Sequence, residues 1–99
     1  MKRVRFIAPA RREFLKEAAY YNGKEPGLGA RFATAVEEAA ARAVAFPFTG
    51  SLLSKDIRRV FVKDFPFALV YRPDCEEIVI FALAHHSRLP ESWHPRVQR

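Results

Sequence analysis

The apolar run EIVIFAL, residues 77–83, passes directly into the segment AHHSRLPESWHPR, residues 84–96. All three histidines of the chain, His85, His86 and His94, fall there, with Arg88, Arg96 and the single tryptophan, Trp93. Imidazole and guanidinium groups side by side can move a proton and hold an anion, the two requirements of acid–base chemistry at a phosphate. A metal is the other use of clustered histidines, and the spacing opposes it. His85 and His86 are neighbours, so on a strand they point to opposite faces. His94 lies beyond a proline, and Glu91 is the only nearby group that could add to a ligand set. Neither a metal nor another cofactor is expected. The alternative is structural: a polar strand end bonded to loop carbonyls, with Trp93 packing the tail against the sheet. Structure plus partner contact is the preferred reading of the cluster.

The elements that must carry these residues can be read from periodicity. RVRFIA alternates Val4 and Phe6 against Arg3 and Arg5, a half-buried strand. Pro9 suits a helix start, where its missing N–H has no partner to lose. A first helix then brings Phe14, Leu15, Ala18, Ala19 and Tyr21 near one face, and Asn22-Gly23 ends it. After the turn KEPGLG, the stretch ARFATAVEEAAARAVAF places Leu28, Phe32, Val36, Ala39, Ala40 and Ala43 at helical spacing. Its alanines favour the helix, and Pro47 closes it. The two helices should form an antiparallel hairpin with closely approaching axes. FPFTGSLLSKD reads as a loop, followed by strands at residues 57–62, 66–72 and 77–85 with hairpin-length links, a three-stranded antiparallel meander. Pro66 must stand at a strand start. The expected fold is α+β: four strands, with both helices on one face of the sheet.

The last of these strands alternates Ile78, Ile80 and Ala82 with Val79, Phe81 and Leu83, so both its faces are apolar. Two helices cover one face. The other is either ordinary interior covered by the chain's own ends, or a surface awaiting a partner.

Ninety-nine residues make one domain, 1–99, which buries about 60–70% of its unfolded surface. A composition 49% hydrophobic and 28% charged is globular. Seventeen Lys and Arg against eleven Asp and Glu give a net charge of +6, which favours an acidic partner. The single cysteine, Cys75, forbids an internal disulfide and fits a reducing cytoplasm. The N-terminus MKRVRFIAPARR is too poor in apolar residues for a signal sequence. No run approaches the roughly 18 apolar residues needed to cross a membrane.

Several stretches together resemble the RelE/ParE superfamily, the toxins of type II toxin–antitoxin modules, and look closest to its ParE-like branch. They are A..EFLKEAAYY and G.G.RFATAVEEA in the helices, RRVFVKDFPFALVYRPD across the sheet, and ALAHHSRLPESWHPR at the end. The resemblance spans Val4 to Arg96 and implies a helix hairpin packed on a twisted antiparallel sheet. It also implies a cognate ParD-like antitoxin whose disordered segment folds onto the toxin. Candidate contacts are Tyr20, Tyr21, Arg58, Arg59, Phe65, Phe67 and Tyr71, with Phe46 and Phe48 near the same groove.

For activity, the ParE-like branch implies a non-enzymatic poison of DNA gyrase, cytoplasmic and plasmid-stabilising in type. Other relatives imply a ribosome-dependent mRNA ribonuclease. Its set here would be Arg58, Arg59, His85, His86 and Arg88, with Lys63 and Arg72 as further cations. The chain departs from that pattern: no terminal histidine–tyrosine pair is present, and Asp56 is the acid nearest to where a base would stand. A third reading is a family member that binds its partner without toxicity. Nucleic acid is a partner only in the ribonuclease reading.

Overall fold

The computed structural model describes residues 3–86 and 94–97. Strand β1 (Arg3–Phe6) leads into helix α1 (Ala8–Lys24) and helix α2 (Leu28–Ala45). Four strands follow, β2 (Ser51–Ser54), β3 (Ile57–Phe61), β4 (Phe67–Pro73) and β5 (Glu77–His85), and then a single helical turn, α3 (His94–Val97). The five strands form one sheet in the order β1-β5-β4-β3-β2. Every neighbouring pair is antiparallel except β1 and β5, which run parallel with Arg3 beside Glu77 and Phe6 beside Ile80. Among the described residues no helix is long and apolar enough to cross a membrane.

The meander therefore has four strands where three were expected, because SLLS is a strand and not part of a loop. Only two of its four residues are apolar and it pairs with β3 alone, through a register shift between Leu52 and Ser54. So short an edge leaves almost no periodic trace in sequence.

The helix hairpin is tighter than its alanines imply. Gly29 is the point of closest approach: a Cβ there would lie 2.5 Å from the Ala18 carbonyl oxygen and 2.8 Å from Asn22 Cβ. Helix α1 also runs one residue past the expected stop at Gly23. Asn22 does not end the helix. It accepts a hydrogen bond from Gly27 N through Oδ1 at 3.0 Å, and Gly27 takes the left-handed conformation (φ 89°) that starts α2. The buried line on α1 passes through Ala10, Phe14, Ala18 and Tyr21, whereas Leu15 and Ala19 face solvent.

Both helices cover one face of the sheet, where Phe32, Val36, Ala39, Leu69, Tyr71, Ile78, Ile80 and Leu83 form the main core. The opposite face is buried too: Ile57, Val70, Val79, Phe81, Ala82 and Ala84 are each at most 6% exposed. The second apolar side of β5 is thus interior of this chain and not a free docking face. Its alternation also differs from a regular strand. Val70 pairs with Ala82 but Tyr71 pairs with Ile80, so Phe81 is an extra, bulged residue. The bulge reverses the phase: Leu83 joins Ile78 and Ile80 toward the helices, and Ala82 joins Val79 and Phe81 on the far side.

Candidate functional site

The register of the sheet divides the residues that sequence placed together. Arg58 stands opposite Tyr71, a residue of the helix-side core, so it points toward the helices. Arg59 stands opposite Val70 and points the other way, as does Phe61 two residues on. The histidines divide likewise. The His85 ring lies 5.3 Å from Phe67, whereas His86 meets Phe61 edge-on at 5.1 Å. Arg88, Trp93 and Glu91 lie outside the described residues, as do the side-chain surroundings of His94.

On the helix side, Arg58 is held by the chain itself. Its Nη1 donates to the carbonyls of Phe48 and Gly50, both at 2.9 Å, and its guanidinium lies over the Phe48 ring at 5.5 Å. On the far side, the Arg59 guanidinium lies 4.9 Å over the Phe61 ring. Its Nε is buried with no hydrogen-bond partner among the described residues. Arg59, Phe61 and His86 thus form one partly exposed stack. Arg72 covers Phe81 at 5.2 Å on the same face and pairs with Asp74 at 3.5 Å. Lys63 lies apart in the β3–β4 turn, against α2.

Two of the expected partner contacts are core residues. Tyr71 is fully buried and its hydroxyl donates to the Pro47 carbonyl at 2.9 Å; Phe67 is 4% exposed. Neither can meet a partner without unfolding the sheet, since both face the helices and not solvent. Burial pushes the Tyr71 phenol above its usual 10.0, while the Gly50 main chain and Arg58 pull the other way. Tyr21 is raised as well, first by burial and then by Glu17 and Tyr20.

The other aromatics do come together at a groove. Tyr21 packs edge-on to Phe65 at 5.0 Å and to Tyr20 at 5.4 Å. With Leu28, Arg31, Thr34 and Lys63, Tyr21 and Phe65 line a cleft of about 820 Å³ between α2 and the β3–β4 turn. Tyr20 is exposed beside it.

Sequence reasoning missed Glu13. The Phe81 bulge turns the Phe81 carbonyl and the Leu83 N–H outward, beyond the last residue of β1. Arg96 Nη1 donates to Phe81 O at 2.9 Å, and Leu83 N donates to Glu13 Oε1 at 3.2 Å. Glu13 and Arg96 then join through two parallel bonds of 3.1 Å, with both side chains about one-fifth exposed. The pair completes the strand edge that β1 leaves open. No signal in the sequence links residues 83 positions apart on a helix and a terminal turn.

A five-stranded sheet covered on one face by a helix hairpin defines a class of small α+β proteins. A family model described as "ParE toxin of type II toxin-antitoxin system, parDE" matches residues 4–90. The chain belongs to this ParE toxin family. Among solved structures, it is similar to a chain of the chromosomal ParDE TA system from P. aeruginosa, with 17% identity and a TM-score of 0.72. That match covers 86% of this chain and 96% of the other. No curated protein matches.

Proposed function

We propose that this chain is a ParE-like poison of DNA gyrase that acts by binding protein, and that a cognate ParD-like antitoxin neutralises it by folding a disordered, acidic segment onto it. The observation that carries the reading is the division of the candidate ribonuclease set between the two faces of the sheet. Arg58 and His85 face the helices, whereas Arg59 and His86 face away. A phosphate on one face of the sheet meets one of these arginines and not both, although the two imidazoles lie 6.4 Å apart. The apolar lining of the cleft, Tyr21, Leu28 and Phe65 flanked by exposed Tyr20, suits the apolar side chains of an amphipathic segment, with Arg31 and Lys63 balanced by Glu38 and Asp64 at its rim. Cytoplasmic action follows from the same reading.

Expression without the antitoxin should give DNA damage and filamentation with mRNA intact, and the purified toxin should trap gyrase on cleaved DNA. His86→Ala should weaken this only in part, because interface truncations typically cost about 1–2 kcal/mol. The Arg59–Phe61–His86 stack supports a second reading, the ribosome-dependent ribonuclease. Ribosomal mRNA cuts that His86→Ala lowers by about 10²–10⁴, with gyrase untouched, would select that reading instead.

A further inference from the structure

Strand β2 ends the sheet order, and none of the described residues pairs with its outer edge. An open edge is a row of unpaired N–H and C=O groups, and proteins usually guard such rows with lysine or proline. SLLS has neither. The strand is short and irregular and Lys55 follows it, yet apolar side chains surround it. Phe48, Phe46 and Leu52, at 69%, 63% and 56% exposure, are the three most exposed large apolar side chains among the described residues. Leu52 is the cross-strand partner of Arg58, and Arg58 lies over Phe48, so this apolar group sits on the helix side of the edge.

The charge here is one-sided. From residue 42 to residue 58 the cations are Arg42, Lys55 and Arg58, against the single acid Asp56. Arg42 donates to the Phe61 carbonyl at 2.6 Å and Arg58 to those of Phe48 and Gly50. Carbonyls fix these guanidinium groups in place without neutralising them, and leave N–H groups for a carboxylate.

We propose that the β2 edge is a second protein-binding surface, separate from the Tyr21–Phe65 cleft, and that it takes an extended acidic segment of the toxin's protein target as an added strand. The inference rests on the reading that the toxin acts by binding protein. An unpaired backbone row is satisfied by another polypeptide backbone, which a nucleic acid does not offer. A second copy pairing edge to edge would bring together two segments that each carry Lys55 and Arg58 against the single Asp56, and like charges so gathered repel. A segment alternating Glu or Asp with an aliphatic residue meets both the arginines and the exposed apolar group.

The test uses the purified full chain and a synthetic Glu-Val-Glu-Val-Glu-Val-Glu peptide. Hydrogen exchange at residues 51–54 should slow when the peptide binds. The exposed-site variants Phe48→Ser and Leu52→Glu, with unchanged melting, should each weaken binding roughly tenfold. The same variants should trap less gyrase on cleaved DNA. Protection at residues 21–34 instead of 51–54, displacement of the peptide by oligo-dT, or self-association of the toxin without peptide binding would overturn the proposal. Gyrase trapping at the wild-type level in both variants would overturn the assignment to the target, with the gyrase reading intact. Wild-type toxin that traps no gyrase would sink that reading, while peptide protection at β2 would still stand for the surface.

Discussion

The hydroxyl of Tyr71 shows how much a single buried polar group decides. It donates to the Pro47 carbonyl and so ties the loop before β2 to the middle of the sheet. Tyr71→Phe should cost about 1 kcal/mol at pH 7, measured by urea unfolding. The pH dependence has a definite sign. The phenol of the unfolded chain ionises near 10.0, whereas the folded one holds its proton to higher pH. Its contribution is therefore complete below pH 10 and declines as the pH rises beyond it. Melting curves of the wild type should fall more steeply above pH 10 than those of Tyr71→Phe, with Tyr21 leaving the variant a residual slope. Glu13 is the second decisive residue. Glu13→Gln keeps an oxygen for the Leu83 N–H but leaves Arg96 without its counter-charge and with one acceptor fewer, and should cost about 1.5–3 kcal/mol. A smaller loss would mean that Arg96 finds other partners. The sequence pointed to the histidines because their type is rare and their spacing tight. Glu13 is one of many charged residues on a helix, and its role comes from a bulge that turns toward it the N–H of Leu83, 70 positions away.

At the scale of elements, two glycines in the hairpin should respond oppositely to the same change. Gly23 lies inside α1 with nothing within 4 Å of an added Cβ, so Gly23→Ala should stabilise by about 0.5–1 kcal/mol. Gly29→Ala gains the same helical preference, but its methyl would meet the Ala18 carbonyl at 2.5 Å, a backbone atom that cannot swing aside. Overpacking typically costs about 1–3 kcal/mol, so the net effect is destabilising. Thermal melts of the two variants check both signs. The helices, β3, β4 and β5 were legible because long apolar periods leave strong patterns. Strand β2 was not, because four residues hold no period. The reversal of Ala82 and Leu83 was not legible either, because a bulge is a property of pairing and only the partner strand reveals it.

For the whole molecule, the order of elements and the ParE-like character could be read directly, whereas the placement of charge needed the sheet. A net charge of +6 should steer an acidic antitoxin to the toxin. The association rate measured by stopped flow should fall by about tenfold or more between low and physiological salt, with a much smaller change in dissociation. Rates indifferent to salt would mean that apolar contacts alone guide the encounter. The register also explains why adjacent cations do different work: Arg58 and Arg59 are neighbours in sequence, yet one braces a loop and the other faces away with His86.

The parallel pairing of β1 with β5 has a consequence during synthesis. Among the described residues β1 is the first strand to be made and pairs with β5 alone, so neither sheet face closes until β5 has been made. A chain interrupted before Glu77 lacks the strand that joins β1 to β4 and the strand edge that Glu13 and Arg96 complete. Fragments released from stalled translation should then be unfolded and quickly degraded, which pulse-labelling of a gene stopped at codon 76 would reveal. If the chain poisons its own cell as proposed, harm would then come only from a finished copy.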